Sequence, residues 1–147
     1  NVFQGYWEMP EKTAESFRED GFFITGDMAV RDADGYVSIV GRDKDLIITG
    51  GLNVYPREVE SLVDEVAGVQ ESAVIGVPHP DFGEAVVAIV AAGPGAISAD
   101  AVIEALAGKL AKFKQPKSVH LVEALPRNSM GKVQKAALRK EYAGLFA

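Results

Sequence analysis

Val69-Gln70-Glu71-Ser72-Ala73-Val74-Ile75-Gly76-Val77-Pro78-His79-Pro80-Asp81-Phe82-Gly83-Glu84-Ala85-Val86-Val87-Ala88-Ile89-Val90-Ala91-Ala92 is the stretch on which the fold turns. Two valine-rich runs, Val69 to Val77 and Glu84 to Ala92, flank a Pro80-Asp81-Phe82-Gly83 turn, which is the pattern of two paired strands. On the N-terminal side, Pro56 opens a helix whose Val59, Leu62, Val63 and Val66 recur at helical spacing, with Gly68 as its C-cap. On the C-terminal side, Ser98 caps a second helix carrying Ile103, Leu106 and Leu110 on one face, and Pro116 lies beyond it. Ser118 to Val122 reads as a third strand, and a last helix runs from about Gln134 to Tyr142. The expected fold is therefore α+β, a small domain with a three-stranded sheet covered by helices.

Further out, Leu46 to Thr49 is a short apolar strand leading into Gly50-Gly51. The charged break Gly41-Arg42-Asp43-Lys44-Asp45 marks a boundary, dividing the chain into residues 1–43 and 44–147. The first part opens with an aromatic approach through Tyr6 and Trp7, both read as packing residues, and a short helix at Pro10. Strands are expected at Phe22 to Thr25 and Tyr36 to Val40, around a loop through Asp32-Ala33-Asp34-Gly35. Two strands are marginal alone, so this part is expected to be the β-rich tail of a larger body. The chain opens at Asn1 in mid-pattern, and a longer protein is expected around it.

Composition narrows the chemistry. The 147 residues, 48% hydrophobic and 24% charged, suit a globular chain with a core. A net charge of −6 argues against nucleic acid or an anionic membrane as partner, so an anionic ligand must be met by local cations. The absence of cysteine excludes disulfides and thiol nucleophiles and fits a reducing, cytoplasmic setting. Two isolated histidines, His79 and His120, make a zinc site improbable and read as structural; no metal ligands are assigned. The apolar run Ala85 to Ala92 is far too short to span a membrane, and no secretory leader is expected.

One lysine is presented differently from the rest. In Leu125-Pro126-Arg127-Asn128-Ser129-Met130-Gly131-Lys132-Val133, turn-forming residues deliver Lys132 on a stiff loop ahead of the last helix. Such a cation can reach a phosphate or carboxylate held elsewhere. A P-loop is excluded, because Pro126 stands where it needs glycine and Val133 where it needs Ser or Thr. Gly93-Pro94-Gly95 lacks the third glycine of a dinucleotide fingerprint.

Three segments in order carry a resemblance. They are Phe23-Ile24-Thr25-Gly26-Asp27, the run from Gly41 through Gly50-Gly51-Leu52-Asn53-Val54-Tyr55-Pro56 to Glu60, and Pro126 through Lys132. Together they resemble the C-terminal part of the adenylate-forming (AMP-binding) enzymes, in wording most like the acyl-CoA synthetase branch and, within it, the malonyl-CoA synthetases. The resemblance implies a ligase that joins a small carboxylic acid to CoA through an acyl-adenylate, with ATP and Mg²⁺, the metal's ligands lying outside this chain. By motif position it implies that Asp27 and Arg42 hold the ribose, Ile39 packs near the nucleotide, and Lys132 bridges carboxylate and α-phosphate. Lys44 would be the hinge of a swinging small domain, and Gly50 and Gly51 would line the CoA path.

It further implies that Lys132, in a Pro-x4-Gly-Lys setting, is a target for a lysine acetyltransferase and deacetylase, and that the chain by itself is inactive. Ile48 stands where some relatives carry a second lysine. On residue chemistry alone, Asp27 also reads as a turn residue, Arg42 and Lys44 as a solvated cluster, Gly50-Gly51 as a plain turn and Ile39 as core. Lys112, Lys114 and Lys117 read first as a solvated charge run, with contact to CoA phosphates as the sharper reading. Two other functions stay open: an adenylation domain delivering to a carrier protein, and a non-catalytic module that keeps the small-domain fold.

Overall fold

The computed structural model describes residues 2–93 and 95–147; Asn1, and Pro94 of the Gly93-Pro94-Gly95 segment, lie outside them. Before Asp43 the chain builds one small unit. Phe3 packs at 5.0 Å from Tyr6 and 5.3 Å from Phe23, and Phe17 closes the aromatic knot at 5.4 Å from Phe23. Helix α1 (Pro10–Ser16) starts at the expected proline and puts Lys12 over the Tyr6 ring. Trp7 does not pack as expected: it stands 87% exposed.

Strands β1 (Asp27–Arg31) and β2 (Val37–Arg42) form an antiparallel hairpin, and Asp32 Oδ1 accepts from the N–H groups of Asp34 and Tyr36 to shape its loop. The first expected strand is displaced. Phe22 to Thr25 contributes one bridging pair, Phe23 with Phe17, and the ladder begins at Asp27 because that is as far as β2 reaches.

A 3-10 turn, Asp43–Asp45, leads into β3 (Ile47–Thr49) and β4 (Leu52–Val54). Gly50 and Gly51 join them at φ +57° and +78°, the doubly left-handed loop that suits a two-residue hairpin and that side chains resist. Helix α2 (Pro56–Val63) follows, then β5 (Val69–His79) and β6 (Gly83–Ala92), paired antiparallel from Val69–Ala92 to His79–Gly83. Helix α3 (Ala99–Leu106) is capped by Ser98 Oγ, which accepts from the Ala101 N–H. It is shorter than its apolar spacing suggested, and Leu110 joins the core from beyond its end. Strand β7 (Ser118–Val122) lies parallel to β6, and α4 (Lys135–Glu141) closes the domain.

The three expected strands, β5, β6 and β7, are the heart of the sheet; the β3–β4 ribbon extends it to five, attached to β6 by the single pair Thr49–Gly83. Both faces of the sheet are covered, which explains strands that read as unbroken apolar runs. Val74, Val86, Ala88 and Val90 face α2 and α3. Ala73, Ile75, Val77, Val87 and Ile89 face the other way, against Leu125 and Leu138 of the C-terminal segment. The histidines are structural in their surroundings: His79 lies 4.7 Å from Phe82 and 5.1 Å from Phe146, and His120 lies 4.7 Å from Tyr142. Burial, with the Glu141 charge second, raises the Tyr142 phenol above its ordinary pKa. No helix among the described residues is long and apolar enough to cross a membrane.

Candidate functional site

The β1–β2 ladder sets Asp27 directly opposite Arg42. Arg42 Nε meets Asp27 Oδ1 at 2.8 Å, and its Nη1 donates to the Thr25 carbonyl at 2.7 Å. One face of the guanidinium fork is thus spent on holding the carboxylate and the preceding loop, which fixes both side chains in space. Between Met28 and Ala29 the register shifts, so Gly41 pairs with Met28 and Ile39 with Ala29. Ile39 is 66% exposed, which corrects its reading as core, and it lines a pocket of about 270 Å³ with Asp27 and Arg42. The structure therefore brings these three expected residues together.

Lys132 does not line that pocket. It occupies an exposed turn, built as its sequence indicated. Asn128 Oδ1 accepts from the N–H groups of Met130 at 3.1 Å and Lys132 at 2.9 Å, and the Asn128 N–H donates to the Lys132 carbonyl at 3.0 Å. Gly131 sits at φ +78° in the turn. Arg127 donates to the Gly131 carbonyl and pairs with Glu71 on β5, tying the turn to the sheet. Among the described residues Lys132 enters no ion pair, so its ammonium is uncommitted.

Lys44 is exposed at the middle of the 3-10 turn. On one side the Asp43 N–H donates to the Gly26 carbonyl at 3.0 Å; on the other, Asp45 pairs with Arg139 of α4 at 2.7 Å. Lys44 borders a cleft of about 330 Å³ together with Asp45, Val133 and Lys135. Asp45 and Lys135 also line the Asp27 pocket, so a continuous band runs from Asp27 and Arg42 past Lys44 to the residue following Lys132. Gly50 lies apart from that band, in a pocket of about 200 Å³ with Phe82, Lys112 and Lys117. Lys114, by contrast, is held by Glu58 at 2.7 Å.

Two residues of the band escaped the sequence reading. Glu60, 6% exposed, accepts from the Val74 N–H at 2.8 Å and pairs with Lys135 at 2.6 Å. Its signal was present: a glutamate beside Val59, on the helix face that also buries Val63, has to find partners. Among the described residues no group of three or more His, Cys, Asp or Glu side chains is placed to hold a metal ion.

Compared with known proteins, the chain matches the AMP-binding enzyme C-terminal domain over residues 58–132. It is 46% identical over 142 residues to a long-chain-fatty-acid–CoA ligase of Mycobacterium tuberculosis, a match that spans 97% of this chain and 28% of that protein. Among solved structures, ATP-bound MatB from Rhodopseudomonas palustris superposes with a TM-score of 0.91 at 59% identity, over all of this chain and 29% of MatB. Apo MatB from the same organism is 60% identical over the whole chain and 30% of that protein, yet superposes with a TM-score of only 0.74.

Proposed function

Because this chain belongs to the family of the AMP-binding enzyme C-terminal domain, we propose that it is the C-terminal part of an ATP-dependent, AMP-forming acyl-CoA synthetase. A carboxylate oxygen of the acid attacks the α-phosphorus of ATP, and pyrophosphate leaves; the CoA sulfur then attacks the acyl carbonyl carbon, and AMP leaves. The observation that carries this reading is the Asp27–Arg42 pair at an open pocket, in a chain of 59% identity and TM-score 0.91 to a protein solved with ATP bound.

Each residue has a task suited to its surroundings. Asp27 Oδ1 faces Arg42, which leaves Oδ2 to accept from the ribose hydroxyls. Arg42 keeps the carboxylate aimed and approaches the ribose from the other strand, and Ile39 supplies an exposed apolar surface beside the nucleotide. Lys132, uncommitted to any carboxylate, meets the charge that gathers as acid and α-phosphate combine; a preset cation stabilises that transition state more than the ground state. Mg²⁺ would take ligands from outside this chain.

We assign residues 1–43 to the end of a large nucleotide-binding domain and residues 44–147 to a small mobile one. Trp7, Phe22 and Tyr36 are 87%, 71% and 75% exposed, a cost that a covering body would remove. Lys44 is the pivot, between a bond to Gly26 on one side and a pair with Arg139 on the other. The drop in TM-score from ATP-bound to apo MatB at near-equal identity supports a change in how such parts are arranged. Gly50 and Gly51 would line the CoA path in the second pose, with Lys112 and Lys117 beside Gly50 for its phosphates.

Malonate is the acid we favour, on the detailed wording of the chain, which resembles the malonyl-CoA synthetases. Lys132 is also the side chain whose acetylation, by a lysine acetyltransferase and reversed by a deacetylase, would remove the needed charge. A reducing compartment such as the cytoplasm suits a chain without cysteine. The test is Lys132→Ala in the full-length enzyme: acid-dependent ATP–pyrophosphate exchange should fall about 10²–10³-fold, while a supplied acyl-adenylate is still converted by CoA. Equal loss in both assays would show that the role is wrong.

A further inference from the structure

Ile47 and Val54 anchor the base of the β3–β4 ribbon in the core, but its tip is joined to the sheet by very little. Its one registered pair with β6 is Thr49–Gly83, and the Gly50 N–H reaches the Phe82 carbonyl at 2.8 Å. Two residues before Gly50, the Ile48 N–H goes to a side chain, Glu84 Oε2, at 2.8 Å. Thirty-six positions separate Ile48 and Glu84, so this bond stitches two distant segments together. Among the described residues Glu84 makes no ion pair, and this backbone N–H is the partner the structure gives its carboxylate.

The carboxylate has a seat made for it. A Cβ at Gly76, on the adjoining strand, would stand 2.7 Å from Glu84 Oε1, 2.8 Å from Cδ and 3.0 Å from Oε2. Gly76 is buried in mid-strand and its φ is not positive, so no backbone requirement calls for glycine there. Glycine weakens a strand interior and commonly marks a close approach. Here the approaching group is the Glu84 carboxylate. Gly76, Glu84 and the Ile48 N–H form one strut, and what it steadies is the Gly50-Gly51 turn two residues on.

We infer that Glu84 is a positioning residue for the thiol-dependent half of the reaction, acting through the Gly50-Gly51 turn. This rests on the reading of that turn as part of the CoA path. A hydrogen bond from a backbone N–H to a carboxylate is shorter and stronger than a neutral one, so it can hold the tip of a ribbon with a single ladder pair. The Lys132 turn is braced separately, through Asn128, Arg127 and Glu71, and does not depend on the strut.

The experiment uses the full-length enzyme and scores two half-reactions: acid-dependent ATP–pyrophosphate exchange, and conversion of a supplied acyl-adenylate by CoA. Glu84→Ala should raise KM for CoA or slow the second half-reaction by about tenfold, the order expected for one lost charge-assisted hydrogen bond. Exchange should stay within about twofold. Glu84→Gln keeps an acceptor oxygen and should restore most of the loss. Gly76→Ala displaces the carboxylate without removing it and should move the same readouts in the same direction as Glu84→Ala, by less, since the crowded atoms end a flexible side chain.

Amide hydrogen exchange at Ile48 and Gly50 reads the strut without activity, and protection should fall in Glu84→Ala and Gly76→Ala only. If Glu84→Ala slows both halves equally, if neither half moves, or if Glu84→Gln rescues nothing, the inference fails. Lys132→Ala, run alongside, separates the two levels. Intact exchange in that variant would remove the underlying reading, whereas its expected loss combined with a silent Glu84→Ala removes only the strut.

Discussion

Asn128 does for Lys132 what a longer secondary structure would otherwise do. Its single Oδ1 takes the N–H groups of Met130 and Lys132, and its own N–H closes onto the Lys132 carbonyl. Asn128→Ala should therefore lower ATP–pyrophosphate exchange by about tenfold, since two backbone N–H groups lose their acceptor. Asn128→Asp keeps the acceptor and should recover most of it, and an unchanged rate in Asn128→Ala would show that the turn holds without the side chain. This turn was legible because Pro126, Asn128 and Gly131 act on their immediate neighbours. Lys135 was not legible, because its partner Glu60 lies on another helix and no local pattern couples the two. Ile39 was misjudged as core for a related reason: a strand's pattern gives its two faces but does not say which of them anything covers.

At the scale of elements, Glu60 joins three of them. From α2 it accepts the Val74 N–H of β5 and pairs with Lys135 at the start of α4. Glu60→Ala leaves a buried N–H and an ammonium without a partner, and should cost about 1–3 kcal/mol. Glu60→Gln keeps the acceptor and should cost less. Urea midpoints at unchanged m-value measure both, and an unshifted midpoint in Glu60→Ala would mean that water replaces the carboxylate. The helices and the β5–β6 pair were readable in the sequence because their periods are strong and local. The placement of β1 was not, since Phe22 to Thr25 has as good a strand composition as Asp27 to Arg31, and only pairing with β2 decides between them. The link from β3 to β6 was hidden too, for a single ladder pair leaves no periodic trace.

At the scale of the molecule, the chain spans about 28% of the length of the long-chain-fatty-acid–CoA ligase it resembles, its Asp27 pocket is open, and Trp7, Phe22 and Tyr36 are exposed. The 147-residue chain alone should show no ATP–pyrophosphate exchange, whereas the full-length enzyme should, with malonate turned over faster than a long-chain fatty acid in a CoA-consumption assay. Exchange by the chain alone, or the reverse order of acids, would overturn those two assignments respectively. The turn at Asp43–Asp45 has one more consequence. Its two moorings differ in kind: a neutral hydrogen bond at Gly26, and an ion pair with Arg139 whose side chains are 28% and 18% exposed. Because both side chains are largely buried, dissolved ions screen the second only modestly, and they leave the first almost untouched. Removing the carboxylate, as in Asp45→Ala, would therefore loosen the turn from its C-terminal end alone and leave its N-terminal tie to Gly26 in place.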